Sequence, residues 1–205
     1  MAWFILTDKI FLLDHSEGGL IAARLAAEPE LSVAGCVLMA CQAQPIYRRA
    51  IRQLRYFKSL DECDGPPSGD EPSTHNAIET LEKQAKLAED PAMTQSTPAS
   101  QLPFGLSPAY WLGHGEFHPI QSLQRSDSPV FGPEGAWDYQ ASVNEDYAAF
   151  YAKFQDRQNV RFRLYESLNH LFVSGEGKCT VAEYDIGGSV DVPVMKDVER
   201  WVKSC

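Results

Sequence analysis

The feature that most constrains the fold is a crossover unit near the start of the chain. Apolar residues at 10–13 predict a buried strand, the alanine-rich residues 20–27 predict a helix, and residues 33–40 predict a second buried strand. This order is typical of a parallel sheet, in which ligands bind at the carboxyl ends of the strands. Ser16 lies at such an end, within the connecting sequence DHSEGG.

Ser16 is a candidate nucleophile because of its neighbours. A serine on a sharp turn between a strand and a helix has its hydroxyl lifted clear of the sheet, and small residues must follow because the two backbones come close. Gly18 and Gly19 meet that requirement, which is the arrangement of a nucleophile elbow. The other interpretation is a serine that caps the helix and is followed by glycines. These residues alone leave both interpretations open.

A nucleophilic serine needs a histidine base and an acid that orients the histidine. His170 follows a strand predicted over residues 160–165, and Asp138 follows an apolar start at 129–130 and precedes a predicted helix. Both side chains are therefore expected at the same edge of the sheet as Ser16. The chain order serine, aspartate, histidine is that of the α/β-hydrolases.

Several segments resemble bacterial α/β-hydrolases of the serine esterase and acyl-hydrolase type. They are DHSEGG, PAYWLGHGEFHPI, GAWDYQASVNEDY, LYESLNHLF and VDVPVMKDVERWV. The resemblance implies that Ser16 is the nucleophile, Asp138 the acid and His170 the base.

The resemblance also suggests residues that contact the substrate. It implies that the backbone N–H of Glu17 is one oxyanion donor, and that Tyr110 and Trp111 line the acyl pocket. Packing of these two aromatic residues in a core is an equally good interpretation.

The fold implied by the resemblance is α/β, with a mostly parallel sheet flanked by helices, as in the C-terminal half of an α/β-hydrolase. Residues 1–41 and 103–205 are expected to form this partial core. Residues 42–102 contain two helical patterns separated by polar, proline-rich loops, and we expect them to form an inserted helical cap.

The sequence departs from the family pattern before the nucleophile. The family places several strands ahead of the elbow, whereas fifteen residues precede Ser16. We therefore expect an N-terminally truncated chain that lacks the second oxyanion donor, has weak activity and exposes an apolar sheet edge. A hairpin strand at residues 2–6, or a second copy of the chain, would cover that edge.

Two local departures concern the elbow and the acid. Asp14 occupies the first small position of the elbow motif, where its carboxylate is expected to distort the turn. Gly132 and Pro133 interrupt the strand before Asp138, so a weakened scaffold for the acid is expected.

Composition restricts the partners. The net charge of −10 argues against nucleic acid or an anionic membrane. The cysteine spacing gives neither a disulfide framework nor a zinc site, and the first residues do not match the pattern of a signal peptide, so a cytoplasmic location is expected. His114 and His118 are one helical turn apart, but Gly115 and Pro119 argue against a helix there, and no metal is expected.

The sequence therefore predicts a serine hydrolase that cleaves small-molecule carboxylic esters or thioesters through an acyl-enzyme and needs no cofactor. The alternative is a catalytically impaired α/β-hydrolase that acts, if at all, through self-association as a homodimer.

Overall fold

The computed structural model describes residues 9–63, 72–114, 118–177 and 179–205. Its strands are β1 (Ile10–His15), β2 (Val33–Met39), β3 (Val130–Gly135) and β4 (Val160–Tyr165). Its helices are α1 (Gly18–Ala26), α2 (Ile46–Cys63), α3 (Pro72–Ala88), α4 (Pro108–His114), α5 (Pro119–Gln124), α6 (Ala148–Phe154) and α7 (Val192–Ser204). A π-helical turn (Val143–Tyr147) leads into α6, and short 3-10 turns lie at Ala99–Gln101, Pro103–Gly105 and Val181–Asp185.

The chain divides into two compact units. The sheet unit contains the described residues through Ala43 together with Pro119–Cys205, and the helical unit is Gln44–His118. The insertion predicted over residues 42–102 falls mainly in the helical unit, which also contains α4. The indole of Trp111 in α4 packs against Tyr47 in the core of that unit, with ring centroids 5.3 Å apart.

The sheet unit is a four-stranded parallel sheet in the order β1, β2, β3, β4. Alternate side chains of β2 enter two cores: Cys36 and Leu38 pack with α1 and α6, while Val37 and Met39 pack in the core that contains Trp201 of α7. Because both faces are covered, the apolar run in β2 is continuous. The predicted α/β class, with helices flanking a parallel sheet, is confirmed.

Strand β3 forms in spite of Gly132 and Pro133, so the expected weakening of the acid's scaffold is wrong. The strand pairs with β4 from Val130 to Gly135. Pro133 has no N–H, but its carbonyl accepts a hydrogen bond from the N–H of Ala40 at 3.0 Å. A Cβ at Gly132 would lie 2.8 Å from a ring carbon of Phe162, so the position needs glycine. Neighbouring strands therefore compensate for both residues.

Exposed apolar side chains lie on β1, which is an end strand of the described sheet. Ile10 is 54% exposed and Leu13 is 56% exposed. Residues 2–6, predicted as a covering hairpin strand, lie outside the described residues. Within the described ranges, no helix combines the length and apolar character that crossing a bilayer requires.

Candidate active site

Ser16 occupies a strained turn between β1 and α1. Its backbone φ is +57°, in the left-handed region that is costly for residues other than glycine. Its N–H donates to the carbonyl of Met39 at 2.8 Å, which ties the turn to the end of β2. Helix α1 begins two residues later at Gly18. The elbow interpretation therefore agrees with the local backbone, since a helix-capping serine has extended φ and ψ angles.

The two glycines after Ser16 lie where the elbow is closely packed. A Cβ at Gly19 would lie 2.5 Å from the Sγ of Cys41, and a Cβ at Gly18 would lie 2.8 Å from Oδ1 of Asp14. Gly18 thus leaves the space that the side chain of Asp14 occupies. With Asp14 in place, β1 still pairs in register with β2 through His15, so the strand reaches the elbow intact.

His170 and Asp138 form a buried hydrogen-bonded pair at the carboxyl ends of β4 and β3. Nδ1 of His170 donates to Oδ2 of Asp138 at 2.7 Å, and their side chains are 5% and 0% exposed. Oδ1 of Asp138 accepts the backbone N–H groups of Gln140 and Ala141 at 2.6 Å and 3.0 Å. These two hydrogen bonds fix the orientation of the carboxylate toward the imidazole.

A tight loop after β4 holds His170 in place. The buried amide oxygen of Asn169 accepts the backbone N–H groups of Leu171 and Val173 at 2.9 Å and 3.0 Å. Phe172 has a φ of +58° and is itself buried in the sheet unit. The hydrogen bonds of Asn169 and the strained backbone of Phe172 therefore fix the conformation of the loop that carries the imidazole.

His15 contacts the backbone and ring of His170. Its Nε2–H donates to the carbonyl of His170 at 2.7 Å, and the two ring centroids are 4.6 Å apart. Burial lowers the pKa of His15, which favours a neutral ring beside the second histidine. Because His15 directly precedes Ser16, this contact joins the elbow to the histidine loop.

Gln42 was missed by sequence reasoning as a site residue. Its side chain is buried, and its Nε2 donates to Oγ of Ser16 at 3.3 Å. The segment that carries it turns sharply, since Ala40 has a φ of +47°, and it is held by a 2.9 Å hydrogen bond from the N–H of Ala43 to Asp146. The available signal was its position directly after β2, at the carboxyl edge of the sheet.

The remaining predicted site residues lie in different surroundings. Glu17 directly follows Ser16 and occupies the N-cap position of α1, where its side chain makes no capping hydrogen bond. Tyr110 and Trp111 lie on α4 in the helical unit, where their ring centroids are 4.8 Å apart. Trp111 is 3% exposed and belongs to the core of that unit, whereas Tyr110 is 36% exposed.

Metal-ligating side chains do not cluster in the described ranges. No group of three or more His, Cys, Asp or Glu residues there is arranged to hold an ion. Burial lowers the pKa of His118. The side chain of His114 lies outside the described residues.

Comparison with known proteins relates the chain to esterases. The sequence is 28% identical over 195 residues to the esterase EstD of Thermotoga maritima, covering 95% of this chain and 43% of that esterase. The structure overlays an esterase of Pyrococcus furiosus with a TM-score of 0.52 at 14% identity, covering 97% of this chain and 54% of that protein. The chain has the α/β-hydrolase fold. The predicted resemblance is thereby confirmed.

The other comparisons do not assign the chain to a subgroup within the α/β-hydrolase fold. An α/β fold family hydrolase from Bacillus anthracis gives a TM-score of 0.41 at 18% identity, over 80% of this chain and 61% of that protein. No protein-family model matches the sequence. The chain spans less than half the length of EstD, and the α/β-hydrolase fold is what the structural likeness establishes.

Proposed function

We propose that this chain hydrolyses carboxylic esters or thioesters with Ser16, His170 and Asp138 as a catalytic triad. The observation that carries the proposal is the strained Ser16 at the end of β1 together with the buried His170–Asp138 hydrogen bond of 2.7 Å at the ends of β4 and β3. The carboxyl ends of parallel strands share one edge, where α/β proteins bind ligands. The sequence relationship to an esterase supports the same reaction class.

The proposed mechanism assigns one task to each side chain. Asp138 accepts a hydrogen bond from the Nδ1–H of His170, which keeps the proton on Nδ1 and leaves Nε2 as the base that removes the proton from the hydroxyl of Ser16. Oγ of Ser16 attacks the ester carbonyl, and the N–H of Glu17 stabilises the oxyanion. His170 then protonates the departing alcohol or thiol, and water activated by the same imidazole releases the acid.

Gln42 has a role in the resting site under this proposal. Because its amide donates to Oγ of Ser16 at 3.3 Å, the hydroxyl proton of Ser16 is left to point toward another acceptor. Nε2 of His170 is the acceptor that the mechanism requires.

The helical unit and Tyr110 have proposed roles in substrate choice. A cap that controls access is the role proposed for residues 42–102, and the partly exposed ring of Tyr110 is a candidate lining residue for an acyl pocket. The fully buried position of Trp111 in the helical core favours a packing role for that residue.

Hydrolysis of p-nitrophenyl acetate by the purified chain tests the proposal. We expect Ser16→Ala and His170→Ala each to reduce kcat/KM by at least about 1000-fold, because members of a triad act as a unit. Ser59→Ala is the matched control, since Ser59 is exposed on α2 and its hydroxyl donates a local hydrogen bond to the carbonyl of Tyr56. Equal rates in all four proteins would reject the triad.

The second candidate is a non-catalytic protein that acts through self-association. The observation that favours it is the exposed apolar edge of β1, where Ile10 and Leu13 are more than half exposed. Strand β1 is an end strand of the described sheet, and an unpaired strand edge promotes pairing between chains. This candidate predicts a dimer together with an unreactive Ser16.

A further inference from the structure

A third carboxyl group lies beside the proposed triad, inside strand β3. Glu134 is 2% exposed, although glutamate is rarely buried without a charged partner. Its side chain lies within electrostatic and hydrogen-bonding range of Asp138, which is four residues later in the chain. The triad as described above assigns no role to Glu134.

The surroundings of Glu134 are anionic or apolar. The titratable groups that face it are Asp138 on the loop after β3, Asp146 and Tyr147 on the π-helical turn, and the thiol of Cys41 after β2. The described residues that line the cavity bordered by Glu134 include no lysine, arginine or histidine. An ionised Glu134 would therefore lack a counter-charge in this part of the structure.

The hydrogen-bond donors decide which buried carboxyl holds a proton. Asp138 accepts two backbone N–H groups and the imidazole of His170. Asp146 accepts the N–H groups of Ala43 and Ser142 at 2.9 Å and 2.8 Å. Among the described residues, the backbone donor to Glu134 is its own neighbour, the N–H of Gly135 at 3.0 Å. Two adjacent buried carboxyls cannot both ionise easily, and the one with fewer donors keeps the proton.

We propose that Glu134 is a positioning residue: its protonated carboxyl donates a hydrogen bond to the Asp138 carboxylate and holds Asp138 against His170. The inference rests on the proposed triad. Burial, followed by the charge of Asp138, raises the pKa of Glu134 well above its usual range, which agrees with a proton retained at neutral pH. Ionisation at higher pH removes the donated hydrogen bond and places two repelling carboxylates side by side.

Two substitutions of Glu134 distinguish the effect of its donated hydrogen bond from the effect of its ionisation. Glu134→Gln keeps a donor of similar shape and cannot ionise, whereas Glu134→Leu has no donor. With p-nitrophenyl acetate at neutral pH, we expect Gln to keep kcat/KM within about twofold and Leu to lose about 10- to 100-fold in kcat, with KM nearly unchanged. The wild type should lose activity at alkaline pH through a titration that is absent from the Gln variant. Equal losses in both variants, or the same alkaline titration in wild type and Gln, would overturn the proposal.

Urea unfolding tests the retained proton without any catalysis. A raised folded-state pKa contributes stability below the unfolded-state pKa and loses it as pH rises toward the folded-state value. The unfolding midpoint of the wild type should therefore fall relative to that of Glu134→Gln between about pH 5 and about pH 8. A constant difference between the two proteins over this range means that Glu134 ionises normally, and it rejects the inference even if the triad is active. If Ser16 proves unreactive while the difference grows with pH, the proposed function fails and the protonated Glu134 stands.

Discussion

At the scale of single residues, the site depends on the backbone strain of Ser16. The left-handed φ of +57° lifts the hydroxyl away from the sheet, and the hydrogen bond from its N–H to Met39 holds that conformation. Strain of this kind is stable only where the surrounding structure enforces it. Close contacts of Gly18 with Asp14 and Gly19 with Cys41 show how tightly the elbow is packed.

Replacing Ser16 by glycine and by alanine measures this strain. We expect Ser16→Gly to have a higher free energy of unfolding than Ser16→Ala by about 1 kcal/mol, because glycine enters the left-handed region without a steric clash. Chemical denaturation of the two variants checks the difference. At Ser59, inside α2, the same pair should rank in the opposite order, since glycine destabilises a helix interior relative to alanine. Equal stabilities at Ser16 would show that the turn is not strained.

At the scale of elements, α7 covers one face of the sheet through Trp201. Its indole stacks on Phe131 of β3, with centroids 6.0 Å apart, and meets Phe11 of β1 edge-on at 5.9 Å. Gly35 in β2 makes room for it, because a Cβ there would lie 2.7 Å from the indole. One side chain thus contacts three strands.

Truncation of this side chain tests the packing of α7. Trp201→Ala should lower the free energy of unfolding by about 3 to 5 kcal/mol, since it removes a large buried aromatic ring and leaves a cavity. Met195→Ala on the same helix is the control, because Met195 is 50% exposed and its loss should cost less than about 0.5 kcal/mol. Similar losses in the two variants, measured by urea denaturation, would contradict the packing described here.

Local patterns were sufficient to predict several elements. The strands and helices around Ser16, and the strand before His170, follow from continuous apolar runs and an alanine-rich helical period. Ser16, Asp138 and His170 each follow a predicted strand, and this position predicted their placement at the carboxyl edge of the sheet.

Features that depend on distant partners were not predictable in this way. Gly132 and Pro133 were expected to weaken β3. The residues that accommodate them, Phe162 on β4 and Ala40 after β2, are distant in the sequence, so the local pattern does not reveal them. The contact of Gln42 with Ser16 depends on a sharp turn at Ala40. The left-handed φ there is usually taken by glycine, so the alanine gave no sequence signal for the turn. A lone sequence does not show such long-range contacts.

At the scale of the whole molecule, strand β1 is an end strand of the described sheet and carries exposed apolar side chains. Ile10 and Leu13 on β1 and Ile21 on α1 are each more than half exposed. A second copy of the chain is the partner that we propose for this surface, because an edge of this kind can pair with itself.

Sedimentation equilibrium tests this association. We expect the wild type to form dimers and Leu13→Lys to shift the equilibrium to monomers, because a lysine at the strand edge opposes pairing. Ile186→Lys is the control, since Ile186 is 83% exposed and lies outside the sheet. A wild type that stays monomeric at all concentrations would argue against a homodimer.

The central claim is that Ser16 is an activated nucleophile. Labelling with a fluorophosphonate, followed by intact-mass measurement and peptide mapping, tests it most directly, since the reagent reacts with activated serines and needs no knowledge of the substrate. The triad predicts one adduct per chain, located on Ser16, absent from Ser16→Ala and strongly slowed in His170→Ala. An unlabelled wild type, or labelling that persists in Ser16→Ala, would contradict the account.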